Sequence, residues 1–333
     1  MNYPKVSILV PTYNRSKYLQ ECLESVLMQD YPNFEVIVSD NASIDDTDQI
    51  IKKYLVDNRV KYYRQNSNIG IVSNWKKLLY EYATGEYGKL ICDDDYLIDK
   101  EHVKKCINLI LKNKLDIVLS GSMGRIENEI GLIKEIVIDP EIPEITNAEW
   151  WLENWARKIN GAFLFLNFND GAVFNIKRAK ELEAFVPDCY GLDYEILQRF
   201  ILSGEVGYVR GCHFVARTHP NNDGRIERFE NAFAGMEMFN RIQEYGLSLG
   251  LSEKKMLKLK RRNIIVFTLI FLVNKWFLAK GVSLKSIYEF YNRMNKLNKT
   301  VFIPIITNYA TLSMMFQQKN IKMYKLLKRM AGK

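Results

Sequence analysis

Three consecutive carboxylates, Asp93-Asp94-Asp95, follow the short apolar run Leu90-Ile91-Cys92 and lead straight into Tyr96-Leu97. Adjacent like charges repel, and a carboxylate buried without a partner is strongly disfavoured or driven to take up a proton. A hard divalent cation removes the conflict. Mg2+ or Mn2+ takes oxygen ligands from one or two carboxylates and fills its remaining positions with water and phosphate oxygens. A strand end followed by a solvated acidic turn is the other reading of the same residues. What the rest of the chain brings to this point decides between them.

The elements that must position the triplet can be read from periodicity. Lys5-Val6-Ser7-Ile8-Leu9-Val10-Pro11 reads as a buried strand, Phe34 to Ser39 as a second, Val60 to Tyr63 as a third and Gly88 to Ile91 as the strand that delivers the acids. Between them Leu19, Cys22, Leu23, Val26 and Leu27 recur at helical spacing, Ile50, Ile51, Tyr54 and Leu55 mark a second helix, and Ile71 to Tyr82 a third. Strand and helix alternate, which predicts an α/β fold with a parallel sheet and helices on both faces. Ligands of such sheets sit beyond the carboxyl ends of the strands. Three strands end in polar clusters, Pro11-Thr12-Tyr13-Asn14, Asp40-Asn41 and the acid triplet, so all three belong on one rim. No G-x-G-x-x-G follows the first strand and no P-loop occurs, which leaves a nucleotide held by carboxylates and a metal.

A length of 333 residues suits one large domain or two smaller ones, and 47% hydrophobic with 26% charged residues is the composition of a globular protein with material for a core. The five cysteines form no C-x-x-C pair and no metal-site spacing, which suits free thiols in a reducing compartment. Met1 to Val10 runs into a strand pattern without a charged, then apolar, leader, so a cytoplasmic location is expected. Charge is divided unevenly. From Leu251 onward eighteen Lys/Arg face two acids, whereas positions 1–250 hold 29 basic and 37 acidic residues. An acidic body with a strongly basic tail points to an anionic membrane or to nucleic acid.

Val6-Ser7-Ile8-Leu9-Val10-Pro11-Thr12-Tyr13-Asn14-Arg15, then Val38-Ser39-Asp40-Asn41-Ala42-Ser43 with Asp45-Asp46-Thr47, then Asn66-Ser67-Asn68-Ile69-Gly70, then the acid triplet, resemble the family 2 glycosyltransferases. The match runs motif by motif from about Lys5 to Arg225. It implies a GT-A fold, Rossmann-like with a mostly parallel central sheet, a nucleoside-diphosphate sugar donor, a divalent metal (Mn2+ or Mg2+) and inversion at the anomeric carbon. On this reading residues 1–250 are the catalytic domain, with 1–100 binding the nucleotide sugar and 101–250 the acceptor, and residues 251–333 are a basic helical region.

Carried over position by position, the resemblance makes Pro11, Tyr13 and Arg15 the loop that lines the base, with Tyr13 as a stacking surface. Asp40 and Asn41 match an acidic pair that reads base and ribose. An amide in the second place both donates and accepts, which leaves the base open, and the alternative role of Asp40 is a helix cap. Asn68 and Gly70 match a segment that passes near the nucleotide. Cys92 stands where the usual D-x-D pattern has its first acid. Asp94 then becomes the direct metal ligand, Asp93 faces the ribose or a metal-bound water, and Asp95 is a second ligand or a structural partner. Asp193, ahead of a helix running to Leu202, matches the general base, with Leu192 in place of the usual Glu and Glu195 as the fallback. His219, in Arg217-Thr218-His219-Pro220, matches a contact to metal or diphosphate, while His102 and His213 are assigned no role. Asn169 to Arg178 reads as strand-like, and Trp150, Trp151 and Trp155 lie on a helix where core packing is the leading expectation over sugar stacking. Gln198-Arg199-Phe200 lacks the Q-x-x-R-W arrangement of processive synthases.

Beyond Leu251 the basic stretch Lys254 to Arg262 precedes the apolar run Ile264 to Val273, which is too short to span a bilayer. Basic residues beside apolar helices suit attachment to an anionic membrane surface, at the inner face of the cell membrane. The chain is thus expected to build a cell-surface polysaccharide or lipid-linked glycan, meeting donor, acceptor and membrane but no nucleic acid. The alternatives are a nucleotidyltransferase, which lacks its Gly-rich phosphate loop here, and a nucleic-acid-binding protein using the basic tail, which lacks a recognition motif.

Overall fold

Runs of β-branched residues that alternate between two apolar faces force the first half of the chain into buried parallel strands. In this computed structural model the described residues are 3–128, 131–139, 141–155, 158–159, 162–163, 168–186, 191–219 and 236–264. The elements run β1 (Val6–Thr12), α1 (Ser16–Leu27), β2 (Phe34–Asp40), α2 (Thr47–Tyr54), β3 (Val60–Arg64) and α3 (Ile71–Lys77), the last extended by a π-helical turn at Leu78–Tyr82. There follow β4 (Tyr87–Leu90), β5 (Tyr96–Leu97), α4 (His102–Asn113), the long strands β6 (Ile117–Asn128) and β7 (Gly131–Ile138), then β8 (Ile145–Thr146) and α5 (Ala148–Asn154). A separate two-stranded ribbon, β9 (Lys158–Ile159) with β10 (Ala162–Phe163), precedes α6 (Phe168–Gly171), β11 (Val173–Asn175) and α7 (Ile176–Glu181). The described chain closes with α8 (Leu192–Ser203), β12 (Val206–Thr218), α9 (Met236–Ser248) and helical residues 253–264.

The sheet order is β3-β2-β1-β4-β11-β6-β12-β5, with β7 on β6 and β8 on β12. The four strands read from periodicity are parallel, as expected, and in register Thr12 faces Asp40 and Asp40 faces Arg64. The second half departs from a mostly parallel sheet. β11 is antiparallel to both β4 and β6, and β5, β7 and β8 also pair antiparallel. Strand pairing between distant segments leaves no local mark, so this reversal is invisible to periodicity.

Alternation divides the core in two. Leu9, Ile37, Leu90 and Phe174 point to one face, under α3 and α5 to α9, while Val6, Ile8, Val10, Val36 and Val38 point to the other, under α1 and α4. Trp151 and Trp155 are buried in the first cluster and Trp150 packs on it, so the tryptophans are core. Met256, Leu259 and Ile264 complete that same cluster, so packing continues across position 250 into the basic region. Among the described residues no helix is long and apolar enough to cross a membrane. Most of the basic region, residues 265–333, lies outside the described residues.

The stretch 169–178 is a correction. Instead of one strand it breaks into α6, the three-residue β11 and α7, because Gly171 sits where a Cβ would be 2.8 Å from the Ser120 carbonyl oxygen and Asn175 caps α7 by accepting the Arg178 N–H. Gly171 therefore lets α6 press directly onto β6.

Candidate active site

The triplet occupies the turn between β4 and β5. Ile91 N–H donates to the Leu9 carbonyl at 3.0 Å, ending the β4 ladder, and Asp95 N–H closes on the Cys92 carbonyl at 3.1 Å. All three carboxylates are buried, Asp93 against the end of β1 and Asp94 and Asp95 against the end of β12. Asp93 Oδ2 lies 3.4 Å from the Tyr13 N–H at the end of β1. Asp94 Oδ2 lies 3.0 Å from His219 Nε2 beyond β12, and Asp95 Oδ1 accepts the Arg217 N–H at 2.7 Å. Burial and the neighbouring Asp94 charge push the Asp93 carboxyl well above the usual carboxylate range.

Tyr18 and Arg217 hold the far side of this clamp. His219 is fully buried and stacks on Tyr18, with ring centroids 4.5 Å apart. The Arg217 guanidinium lies over Tyr18 at 4.9 Å and Tyr96 at 5.1 Å while pairing with Glu21 and Glu127. The spacing of the sequence motifs carries no sign of this layer, since Glu21, Glu127 and Arg217 are far apart in the chain.

The donor set suits a hard divalent cation. Cys92 Sγ and carboxylate oxygens of Asp94 and Asp95 lie within 4.8 Å of one another, and a cation would offset the repulsion that burial imposes on the carboxylates. Thiolate is a soft ligand, so the two carboxylates, with His219 beside Asp94, are the donors that match Mn2+ or Mg2+.

The loops that follow β1 and β2 are braced on each other. Asn14, at φ 53°, receives the Ile44 N–H on Oδ1 at 2.8 Å and donates its own N–H to Ser43 Oγ at 2.9 Å. Asp45 accepts from the Ser16 N–H and from Thr47, a pairing that positions Arg15 between two fixed points. Tyr13 is 41% exposed on this rim, and Arg15 is half-buried.

Three residues stand differently from expectation. Pro11 is buried inside β1 rather than in the loop. The Leu9 carbonyl faces β4, so the nitrogen of Pro11, two residues on, points to the same side, where the ladder has already ended and no donor is needed. Asp40 is fully buried, accepting from Ser43 N–H, the Tyr62 hydroxyl and Arg64. The Asn41 amide is engaged at both ends, donating to Asn68 Oδ1 at 3.0 Å and accepting the Ile69 N–H at 2.8 Å. Asn68 Oδ1 also accepts the Gly70 N–H, so Asn41 clasps the 68–70 loop and keeps only one N–H and one lone pair for anything else.

Asp193 sits in the first turn of α8, which Gly191, in the left-handed region at φ 82°, precedes. The side chain is partly exposed, and Asn169 Nδ2 donates to its Oδ2 at 3.3 Å. The fallback base is tied up in ion pairs. Glu195 is 2% exposed and clamped by Arg199 at 2.9 Å and by Arg241 through both Nε and Nη2. The two halves meet at α6, which packs on β4, the strand leading to the triplet, on β6, on β12, the strand leading to Arg217 and His219, and on α8.

Residues 7–170 match the sequence family described as Glycosyl transferase family 2. Among curated relatives, poly(ribitol-phosphate) beta-N-acetylglucosaminyltransferase TarS of Staphylococcus aureus is 37% identical over 122 residues, covering 36% of this chain and 21% of that protein. GalNAc(5)-diNAcBac-PP-undecaprenol beta-1,3-glucosyltransferase of Campylobacter jejuni is 38% identical over 97 residues, covering 28% of this chain and 31% of that protein. The chain thus matches about a fifth to a third of the length of these relatives. Among solved structures, S. aureus TarS 1–349 in complex with UDP-GlcNAc superposes at a TM-score of 0.64, with 18% identity, covering 99% of this chain and 92% of that one. The mannosyltransferase PcManGT of Pyrobaculum calidifontis, in complex with GDP-Man and Mn2+, gives 0.54 with 14% identity, covering 96% and 89%. The fold is therefore GT-A.

Proposed function

We propose that this chain, a member of glycosyl transferase family 2 through the domain at residues 7–170, moves a sugar from a nucleoside-diphosphate donor to a hydroxyl of a glycan or lipid-linked acceptor in cell-surface glycan synthesis, with inversion. The observation that carries the reading is the meeting at α6 of the strand that ends in the acid triplet and the helix that presents Asp193.

Asp193 removes the proton of the acceptor hydroxyl. The new carbon–oxygen bond forms at the anomeric carbon as the bond to the diphosphate oxygen breaks, and that electron pair leaves with the nucleoside diphosphate. Asn169 holds the carboxylate in place for this step. Asp94 and Asp95, with His219 against Asp94, would hold Mn2+ or Mg2+, which when bound supplies positive charge against the leaving diphosphate. Tyr13, exposed on the rim, offers its ring to the base, and Arg15 faces the acid triplet from the same loop. Gly70, at φ 84°, starts α3 with open space on the side a Cβ would occupy, which lets a ligand approach the backbone.

Two measurements test this. Nucleoside diphosphates titrated with and without Mn2+ should raise the melting temperature only when the metal is present and only for the matching base. Asp193→Asn should abolish transfer while leaving donor binding intact, and near-normal turnover in that variant removes the base assignment. The same proposal places the protein at the cytoplasmic face of the membrane through its basic region, eighteen Lys/Arg against two acids beyond position 250. Sedimentation with vesicles should then capture the protein when they contain anionic lipid and release it as salt rises, and equal capture by neutral vesicles would contradict an electrostatic attachment.

A further inference from the structure

Asn169 is a buried polar residue of α6. Phe168 before it and Ala172 beyond it are both 0% exposed, and Asn169 itself is 8% exposed. Its Nδ2 donates to Asp193 Oδ2 at 3.3 Å. An ionised carboxylate only accepts, so this contact fixes which end of the amide faces Asp193 and turns Oδ1 away from it. Among the described residues that oxygen has no donor. Buried acceptors in folded proteins are nearly always filled, and one left open beside a partly exposed carboxylate is a place for a donor that arrives with a ligand.

We infer that Asn169 Oδ1 accepts a hydrogen bond from a hydroxyl of the donor sugar, next to the acceptor hydroxyl that Asp193 deprotonates. The inference rests on the reading of Asp193 as the base. The donor rather than the acceptor is indicated by the packing of α6. This short helix lies against β4, whose end carries the carboxylates assigned to the diphosphate side, and the donor sugar hangs from that diphosphate. Gly171 sets the depth of α6, because only a residue without a Cβ allows the helix backbone so close to the Ser120 carbonyl. Asn169 thus has two ends with two tasks. The amide nitrogen steadies the base, and the amide oxygen reads the sugar.

The test compares sugar with bare diphosphate. Affinities of the full chain, of Asn169→Ala and of Asn169→Ser are measured by calorimetry with Mn2+ for UDP, UDP-GlcNAc, UDP-glucose, GDP and GDP-mannose. For the nucleotide sugar that binds the wild type, Asn169→Ala should weaken binding about tenfold while the matching diphosphate binds as before, the size expected of one lost hydrogen bond. Asn169→Ser, whose hydroxyl can still accept, should recover part of the loss. Equal weakening of sugar and diphosphate would mean that Asn169 only supports the fold, and no weakening of either would mean that it touches no sugar. Either result overturns the inference. If Asn169→Ala melts well below the wild type, the serine variant carries the comparison. No binding of any of these nucleotides to the wild type would remove the donor site itself. Failure of the base assignment is seen separately, as near-normal turnover of Asp193→Asn with the sugar contact of Asn169 intact.

Discussion

At the scale of single residues, the two acids at the start of α8 show how environment divides roles between like groups. Asp193 faces partly outward and accepts from the Asn169 amide, whereas Glu195, two positions on, lies under two guanidiniums. Removing a charge from a buried pair leaves its partners uncompensated. Glu195→Gln should therefore lower stability by about 3 kcal/mol, read as the urea unfolding midpoint, while leaving nucleotide affinity unchanged. Asp193→Asn should do the reverse, with little loss of stability and no transfer. A finding that Glu195→Gln is stable and inactive would exchange the two assignments. Sequence alone named both acids and ranked them only by resemblance. Of the two cations that hold Glu195, Arg199 stands four positions on along α8, but Arg241 is 46 positions away and leaves no local signal.

Elements carry the second set of consequences. The parallel strands were legible because burial on both faces demands continuous runs such as Val36-Ile37-Val38, and the polar clusters at their ends converge on one rim as their register requires. α6 was not legible. Its four residues carry no period, and its position depends on the contact of Gly171 with Ser120 across the fold. Gly171→Ala should force α6 off β6, costing about 1–3 kcal/mol by overpacking and lowering transfer more than stability alone explains. The opposite end of the sheet holds a different knot. Glu35 on β2 is buried, and although burial alone would push its carboxyl up, hydrogen bonds from Lys61, Lys5, Ser7 and Thr84 outweigh that and hold it at about 2. A carboxyl lowered in the folded state stabilises at pH values above its ordinary range near 4.5 and loses that contribution as pH falls toward about 2. Urea midpoints should drop across that window in the wild type and less steeply in Glu35→Gln.

On the scale of the molecule, the sequence suggested a catalytic body ending near position 250 and a separate basic tail. Packing continues past that point, since Met256, Leu259 and Ile264 fill the core face that holds Trp151, Tyr194 and Phe239, and Asn263 accepts the Tyr194 hydroxyl at 2.7 Å. A chain cut after residue 250 should accordingly melt lower than the full chain, and Met256→Ala alone should cost about 2–5 kcal/mol, measured by urea unfolding. Charge composition marked the change at position 250 but could not show that the first turns beyond it are structural. The reversed strand β11 bears on how the protein is made. Gly88 on β4 pairs with Phe174 on β11, so the first four strands can assemble early through their short helical crossovers while one flank of β4 stays unpaired until residue 175 has left the ribosome. An open strand flank invites pairing with other chains. During synthesis the acid-bearing strand is thus the vulnerable margin of the nascent protein, and the arrival of three residues, Val173 to Asn175, seals it.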